Sequence, residues 1–486
     1  MSVPACPPPN LTASPWRRMA EQAFSRAAGA PLIGGNAVDL LIDAAAHFDE
    51  WERRILAAQH YIFLENYIIR NDAIGRRLRD ALATRAGAGI RVCVVRDWLG
   101  CFGTDGSSFW KPLLDAGGEV RSYNPPRFSS PLGWISRDHR KLLVVDADYA
   151  CISGVCVSQK WLGDPGRQVP PWRDTGVSLR GPAVAELAHV FADIWSQLGT
   201  PLPTGLLQPP AAETGTVHVR VIATQPSTAG LFRLDQLIAA MARERLWLAD
   251  AYFVGLPPYV QSLAAAARDG VDVRLLVPGT SDIPAVARMS QSGYRPLLEA
   301  GVRVFEWNGS MMHAKTAVAD ARWARVGSSN LNIASWIGNC EIDLAVEDLD
   351  FAARMERQYL ADLDNATEIV LKRRKTRKSG RHRRAQGGSS SRAAAGVMRL
   401  AHSVGSALGN QRVLGPAEAG ALPWFAASLI VLAVLGIRWP WLLAWPLSAA
   451  AGLLGLSLLT RYLQTRRRPA KPPPRQDERE ESAPAP

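Results

Sequence analysis

The chain has 486 residues, of which 47% are apolar and 21% charged, so it is long enough for two to four domains and most of it can bury a core. Its net charge of +12 is unevenly distributed, because residues 371–412 contain twelve basic and no acidic residues whereas residues 1–370 carry a net charge of −3. A nucleic-acid enzyme more often carries its positive field on the folded body. We therefore predict no nucleic-acid partner.

The N-terminal region and the cysteines indicate the cellular compartment in which the protein resides. Residues 1–30 are rich in Pro and Ala and predict a flexible N-terminus, without an apolar core of signal-peptide length. We therefore expect the body to remain where it is made. The six cysteines form no CxxC pair, which favours buried, reduced thiols over a disulfide framework or a metal site and fits a reducing compartment.

A first α/β domain is predicted at 31–199. A helix-like pattern at 36–59 precedes the strand-like YIFLENYI (61–68), and a second helix at 73–85 precedes the strand RVCVV (91–95). This alternation of strands and helices is typical of α/β proteins.

A second α/β domain is predicted at 216–370, after a Pro- and Gly-rich linker at 200–215. Two of its segments resemble segments of the first domain in the same order: ARDGVDVRLLV resembles RAGAGIRVCVV, and LLEAGVRVFEW resembles LLDAGGEVRSY. An internal duplication is the simplest explanation, although repeated αβ units also arise without common origin.

Each half contains one HxKxxxxD motif. The two copies lie 174 residues apart, at His139, Lys141, Asp146 and at His313, Lys315, Asp320. Both use Lys, although the chain has only eight Lys against 48 Arg. In a strand, side chains at i and i+2 share a face, so each motif directs an imidazole and an ammonium group the same way.

This pair of groups suits phosphodiester chemistry. A Lys neutralises the phosphate charge, and an imidazole attacks phosphorus or transfers a proton near neutral pH, so two halves supply a nucleophile and a general acid/base. Isolated histidines are more often structural, which is our interpretation of His47, His60, His189 and His218. The Lys inside each motif would repel a cation and no carboxylate cluster accompanies it, so we predict no metal and no cofactor.

The duplicated motif resembles the signature of the phospholipase D superfamily over roughly residues 36–370. GSSNLNIASWIGNCEID resembles the Gly-Ser-x-Asn segment of that family and its downstream acid, at Gly327, Ser328, Asn330 and Glu341. In the first half ISGVCVS takes the equivalent place, with Cys156 where the family usually has Asn. Within the superfamily, FLENYIIRNDAIGRRLRDAL, RDHRKLLVVD and WRDTGVSLRGPAV are most similar to bacterial cardiolipin synthases.

The resemblance implies two α/β/α sandwich halves that share one active site. It also implies an acid that orients each His from the opposite half: Glu341 for His139 and Asp174 for His313. Glu65 and Tyr67 are expected near the pocket, with strand packing as an equal alternative for Tyr67.

The function implied is transfer of a phosphatidyl group to a second phospholipid. His139 would form a phosphohistidine, His313 would act as acid and base, and Asp146 and Asp320 would brace the motif strands. The expected phosphate ligands are Lys141, Lys315, Asn330 and Ser328. Hydrolysis to phosphatidic acid, a nuclease and a catalytically inactive membrane scaffold remain alternatives, and the sequence leaves protein partners open.

The C-terminal region predicts membrane attachment. Between a basic flexible linker (371–415) and a disordered tail (464–486), apolar runs of 17 and 22 residues flank Arg438 and predict a helical hairpin at 416–463. Basic residues on both sides favour cytoplasmic ends, so we expect the bacterial inner membrane with the catalytic body on its cytoplasmic side. A re-entrant hairpin is the alternative. The basic linker is expected to contact anionic lipid.

Overall fold

In this computed structural model, both halves of the chain contribute strands to one continuous mixed β-sheet. The structure describes residues 15–103, 106–126 and 135–371, together with scattered positions between 430 and 452. Contacts divide the chain into two units, Met1–Gln411 and Arg412–Pro486.

Nine α-helices belong to the described part of the first unit. They are α1 (Pro15–Ala28), α2 (Asp43–Ala57), α3 (Ala73–Gly87), α4 (Ser107–Asp115), α5 (Ala183–Gln197), α6 (Gly230–Met241), α7 (Pro257–Arg268), α8 (Pro284–Ala300) and α9 (Leu349–Leu363). The strands of the first half are β1 (Ile33–Ile42), β2 (Tyr61–Asn66), β3 (Arg91–Asp97), β4 (Glu119–Tyr123), β5 (Lys141–Val145), β6 (Tyr149–Ser153) and β7 (Thr175–Arg180). Those of the second half are β8 (Val217–Thr224), β9 (Arg245–Ala249), β10 (Asp272–Pro278), β11 (Arg303–Trp307), β12 (Thr316–Ala319), β13 (Trp323–Gly327), β14 (Glu341–Glu347) and β15 (Ala366–Ile369).

The two halves repeat one strand order. The first runs β1-β7-β6-β5-β2-β3-β4 and the second β8-β14-β13-β12-β9-β10-β11, with β15 added at its outer edge. The halves join where β1 pairs antiparallel with β8. The predicted α/β class is therefore confirmed, and the repeated order supports the internal duplication.

Helices cover both faces of the sheet. Helices α5 and α9 pack on one face, where side chains such as Phe191 and Tyr359 belong to a single core cluster. The other face is covered by α2, α3 and α4 over the first half and by α1, α6, α7 and α8 over the second. The motif strands β5 and β12 are buried along their whole length, which explains their continuous apolar residues.

Two predictions at the N-terminal side are wrong. Residues 36–42 belong to β1 and not to a helix, because β7 and β8 supply backbone partners on both of its edges. The flexible N-terminus predicted at 1–30 is helical from Pro15 to Ala28, since α1 packs against α6 and its end is buried. The linker at 200–215 contains no helix or strand, yet Leu202, Leu206 and Leu207 pack against the core.

The second unit is described at only a few positions. Most of these positions are helical, and Ile430, Val434 and Ile437 expose their side chains. Among the residues that the structure describes, no helix combines the length and the apolar character needed to cross a membrane. The predictions for 1–14, for the tail at 464–486, and for almost all of the linker (371–415) and the hairpin (416–463) fall outside the described residues.

The motif aspartates lie at the ends of the motif strands remote from the histidines. Asp146 accepts hydrogen bonds from the backbone N–H groups of residues 59–61 at 2.8–2.9 Å, and Asp320 accepts them from residues 243–245 at 2.9 Å. Both adopt positive φ angles, 53° and 49°. Each carboxylate thus attaches its motif strand to the start of the neighbouring strand, and this geometry supports the bracing role.

Replacing Asp320 with Ala is expected to lower the free energy of unfolding by about 2–4 kcal/mol, because three N–H groups lose a charged acceptor and Ala is strained at this φ. Urea unfolding would measure the loss. Asp320→Asn is the matched control, since Asn tolerates positive φ and keeps one acceptor oxygen. Unchanged stability together with lost activity would instead place Asp320 in the chemistry.

Candidate active site

The two motif histidines face one cavity between the halves. The cavity has a volume of about 340 Å³, and its wall includes His139, Tyr67 and Cys156 from the first half and His313, Tyr252 and Asn330 from the second. Histidines that lie 174 residues apart in sequence therefore meet at one site. None of His47, His60, His189 and His218 lines this cavity.

Backbone pairing between the halves positions each motif. The N–H of His139 donates to the carbonyl of Cys340 at 2.9 Å, and the N–H of Cys340 donates to the carbonyl of Arg137 at 2.8 Å. In the same way, the N–H of His313 donates to the carbonyl of Arg173 at 2.7 Å. Cys340 and Arg173 each directly precede an orienting acid, so these bonds place each acid beside the histidine of the other half.

Each imidazole is held by an acid from the opposite half. Nδ1 of His139 lies 2.9 Å from Oε2 of Glu341, and Nδ1 of His313 lies 2.8 Å from Oδ2 of Asp174. This is the pairing that the resemblance implied. A carboxylate that accepts the Nδ1–H leaves Nε2 available for reaction and supports a positive charge on the ring.

The two orienting acids accept hydrogen bonds from different donors. Ser328 Oγ donates to Glu341 at 2.5 Å, so the structure places this hydroxyl behind the acid and not on the cavity wall. The equivalent residue in the first half is Gly154, where a Cβ would lie 2.3 Å from Asp174. Asp174 is supported instead by Trp161, whose Nε1 donates to it at 3.2 Å.

The motif lysines lie just behind the cavity wall. Nζ of Lys141 donates to the carbonyl of His139 at 2.5 Å, and Nζ of Lys315 donates to the carbonyl of His313. Both lysine side chains are fully buried. Asn330 does line the cavity, and its Oδ1 has no hydrogen-bond partner among the described residues. The field of two buried ammonium groups therefore acts on whatever occupies the cavity.

Burial and neighbouring charges set the protonation of the free site. Burial lowers the pKa of both histidines. The charges of Lys315 and Lys141 lower the pKa of His313 further. Burial alone would raise the pKa of Glu341, but the charge and hydrogen bond of His139, with Lys141, hold this pKa below its ordinary value. These shifts favour a neutral His313 and an ionised Glu341.

Affinity for oxyanions is expected to depend on Lys315. Burial lowers the pKa of this ammonium to about 8, so the positive charge is present at neutral pH and is lost as the pH rises through 8. Sulfate keeps its charge over this range, and its affinity for the unmodified enzyme should therefore weaken above about pH 8 in calorimetric titrations.

Lys315→Arg should remove this alkaline decline, because a guanidinium stays protonated. Lys111→Gln, at an exposed position in α4, is the control and should keep it. A sulfate affinity of the unmodified enzyme that is constant across this pH range would contradict the assignment.

The sequence predicts only some of the aromatic residues that lie near the two histidines. Tyr67 lies on the wall as expected, with its ring centroid 4.9 Å from that of His139. The expectation for Glu65 is wrong, since this side chain is buried in the core 3.5 Å from Arg140. Trp161 and Trp172, at centroid distances of 5.3 and 5.5 Å from His313, were not predicted because nothing in their local pattern distinguishes them from core residues.

The cysteines and possible metal ligands can be placed for most of the chain. The five cysteines in the described ranges are buried, as predicted, and none of them forms a disulfide within those ranges; Cys6 lies outside them. No group of three or more His, Cys, Asp or Glu side chains within the described ranges is arranged to hold a metal ion.

An α/β fold with two such motifs on one cavity defines a phospholipase D-like protein, and comparison with known proteins agrees. The family model "Cardiolipin synthase, PLD-like domain" matches residues 234–363. Cardiolipin synthase A of Pseudomonas aeruginosa strain LESB58 is 32% identical over 73% of this chain and 72% of its own length. A cardiolipin synthase of Alkalihalophilus pseudofirmus is 31% identical over 70% of this chain and 68% of its own length.

The fold is also similar to that of a solved protein. The crystal structure of phosphatidylserine synthase from Haemophilus influenzae Rd KW20 superposes with a TM-score of 0.57 at 15% identity, over 72% of this chain and 91% of that one. The chain belongs to the cardiolipin synthase family of the phospholipase D superfamily.

Proposed function

We propose that this protein transfers a phosphatidyl group from phosphatidylglycerol to the alcohol head group of a second phospholipid and so forms cardiolipin. The observation that carries this proposal is the cavity onto which His139 and His313 both open, each imidazole being held by an acid from the opposite half. Membership of the cardiolipin synthase family supports the lipid substrate.

In the first step, Nε2 of His139 attacks the donor phosphorus. A P–N bond forms, the P–O bond to glycerol breaks, and His313 supplies the proton that the departing glycerol needs. Glu341 accepts the Nδ1–H of His139 and stabilises the positive charge that develops on this ring. The product is a phosphatidyl-histidine, with free glycerol.

In the second step, the acceptor hydroxyl attacks the same phosphorus. His313, now neutral, takes the hydroxyl proton, a P–O bond forms, and the P–N bond to His139 breaks. Lys141, Lys315 and Asn330 stabilise the charged phosphoryl oxygens in both steps. A bound phosphodiester also offsets the lysine charges that lower the pKa of His313 in the free enzyme, so substrate itself favours the protonated acid.

Product analysis tests the proposal. Full-length protein incubated with phosphatidylglycerol vesicles is expected to release glycerol and cardiolipin in equal amounts, as measured by mass spectrometry of the lipids. Phosphatidic acid without cardiolipin would identify water as the acceptor and reject the synthase. Cleavage of DNA in place of lipid would instead identify a nuclease of the same fold.

We further propose that the C-terminal region attaches the protein to the inner membrane, with the catalytic body on the cytoplasmic side. The basic residues within 371–415, the two apolar sequence runs within 416–463 and the exposed apolar positions Ile430 and Val434 support this attachment. Deleting 416–463 should shift the protein from washed membranes to the soluble fraction. Retention of the shortened protein on the membranes would reject the anchor.

A further inference from the structure

Arg137 and His139 lie on the same side of one extended segment. Residues 137–139 run alongside Cys340 of the second half, to which both Arg137 and His139 are joined by backbone hydrogen bonds. Side chains two residues apart in an extended segment point the same way and are separated by about 7 Å at their α-carbons. Both residues line the cavity.

The guanidinium of Arg137 has unused donors. Its side chain is 9% exposed, and one nitrogen, Nη1, lies 3.2 Å from Oδ1 of Asp97. The other two nitrogens, Nε and Nη2, have no hydrogen-bond partner within the described part of the chain and are shielded from solvent; a rotation of the side chain would bring them to the cavity that Arg137 lines. A buried guanidinium with two unpaired nitrogens is unfavourable unless a ligand accepts their hydrogen bonds. Two parallel N–H groups in one plane match the spacing of two phosphate oxygens.

The opposite end of the cavity lacks this feature. The residue two positions before His313 is Met311, and it is buried. A second difference lies two positions before the orienting acids, where Asn339 lines the cavity near Glu341 and Trp172 lines it near Asp174. The two ends of the cavity therefore differ, although the catalytic groups themselves are duplicated. Arg137 and Asn339 lie on the wall near His139, whereas Trp172 lies near His313 together with Lys160, whose Nζ is 4.3 Å from the Trp172 ring centroid and 3.1 Å from Oδ2 of Asp282.

This asymmetry matches the needs of a reaction between two phospholipids. The reacting phosphate occupies the space between the imidazoles, and the acceptor brings a second phosphodiester, one glycerol unit away from its attacking hydroxyl. A phosphatidylglycerol donor contains a single phosphate, so a second anion in the cavity belongs to the acceptor. The reacting phosphate already has Lys141 and Lys315, whereas the second requires a cation of its own.

We propose that Arg137 binds the phosphodiester of the acceptor phospholipid and so selects a phospholipid over water or a simple alcohol as the acceptor. This assignment rests on the proposed function. Arg137 then differs in task from the motif lysines, because it holds a group that stays intact through the reaction. Its guanidinium offers two parallel donors to one phosphate, which an ammonium group does not.

An acceptor competition tests the assignment. Full-length protein is given phosphatidylglycerol vesicles with ethanol, and cardiolipin and phosphatidylethanol are measured together by mass spectrometry. Arg137→Gln should lower the ratio of cardiolipin to phosphatidylethanol by about 10- to 100-fold, as expected for losing hydrogen bonds to a charged group. Arg137→Lys should give an intermediate ratio, since the charge remains and the paired donors are lost.

Arg295→Gln is the matched control, because Arg295 is exposed on α8 and pairs only with Glu299 among the described ion pairs; its ratio should equal that of the unmodified enzyme. Equal losses of both products in Arg137→Gln and Arg137→Lys, or an unchanged ratio, would overturn the assignment. Phosphatidylethanol without cardiolipin from the unmodified enzyme would reject the proposed function itself, and the acceptor assigned to Arg137 with it.

Discussion

His139→Ala is expected to lower the rate of cardiolipin formation by about 10⁴-fold or more, because the variant lacks the imidazole that attacks phosphorus. Glu341 holds the imidazole of His139 at the cavity wall. The methyl group of Ala at this position cannot attack phosphorus. Initial rates measured on folded protein, with a radiolabelled donor to detect phosphohistidine, would show the loss. Neither transfer nor labelling should remain above background.

His313→Ala should also abolish turnover with phosphatidylglycerol, but a different donor separates the two histidines. A donor that carries p-nitrophenol in place of glycerol needs no proton for departure, because nitrophenolate is a stable anion. His313→Ala should then release one nitrophenolate per enzyme and retain the label on His139, whereas His139→Ala should release none. The reverse pattern would make His313 the nucleophile.

His189→Ala is the matched control for both variants. His189 is exposed on α5 and does not line the cavity, so its replacement should leave transfer unchanged. Full lipid turnover in both His139→Ala and His313→Ala would contradict the proposed mechanism and favour a scaffold whose motifs serve only the fold.

Glu341→Gln is expected to lower transfer by about 10³- to 10⁴-fold, in the range found when the acid behind a catalytic histidine is neutralised. The side chain keeps its size, so the buried space stays filled. Its charge is lost, however, and the amide no longer presents two acceptor oxygens to His139 and Ser328. The ring then loses both its orientation and the support for its developing positive charge.

The pH profile distinguishes this effect from a structural one. The charge of Glu341 raises the pKa of His139 against the lowering effect of burial, so Glu341→Gln should lower this pKa further. A nucleophile must be neutral, so activity is lost as the pH falls through the pKa, and the acidic limb of kcat/KM should move to lower pH. Glu299→Gln, at an exposed position in α8, should leave the limb in place. An unshifted limb in Glu341→Gln would contradict the coupling.

Local sequence patterns predicted the chemistry better than the element boundaries. The strands that follow His139 and His313 could be predicted because their apolar residues are continuous, as in other strands buried on both faces. Residues 36–42 of β1 are predicted to be helical, because apolar and polar residues alternate only weakly along them. The conformation of β1 depends on β7 and β8, neither of which is close to it in the chain.

The sequence by itself determined which reactive groups are present, their duplication, and the family to which they belong, because residue identities and their repeated spacing do not depend on any tertiary contact. Tertiary structure alone decided the burial that lowers the histidine pKa values and the inequality of the two cavity ends. His139 and Glu341 are 202 residues apart, and their contact depends on a backbone bridge between halves that no local periodicity reveals. Arg137 likewise becomes a candidate ligand only where the fold leaves its nitrogens unpaired beside the cavity.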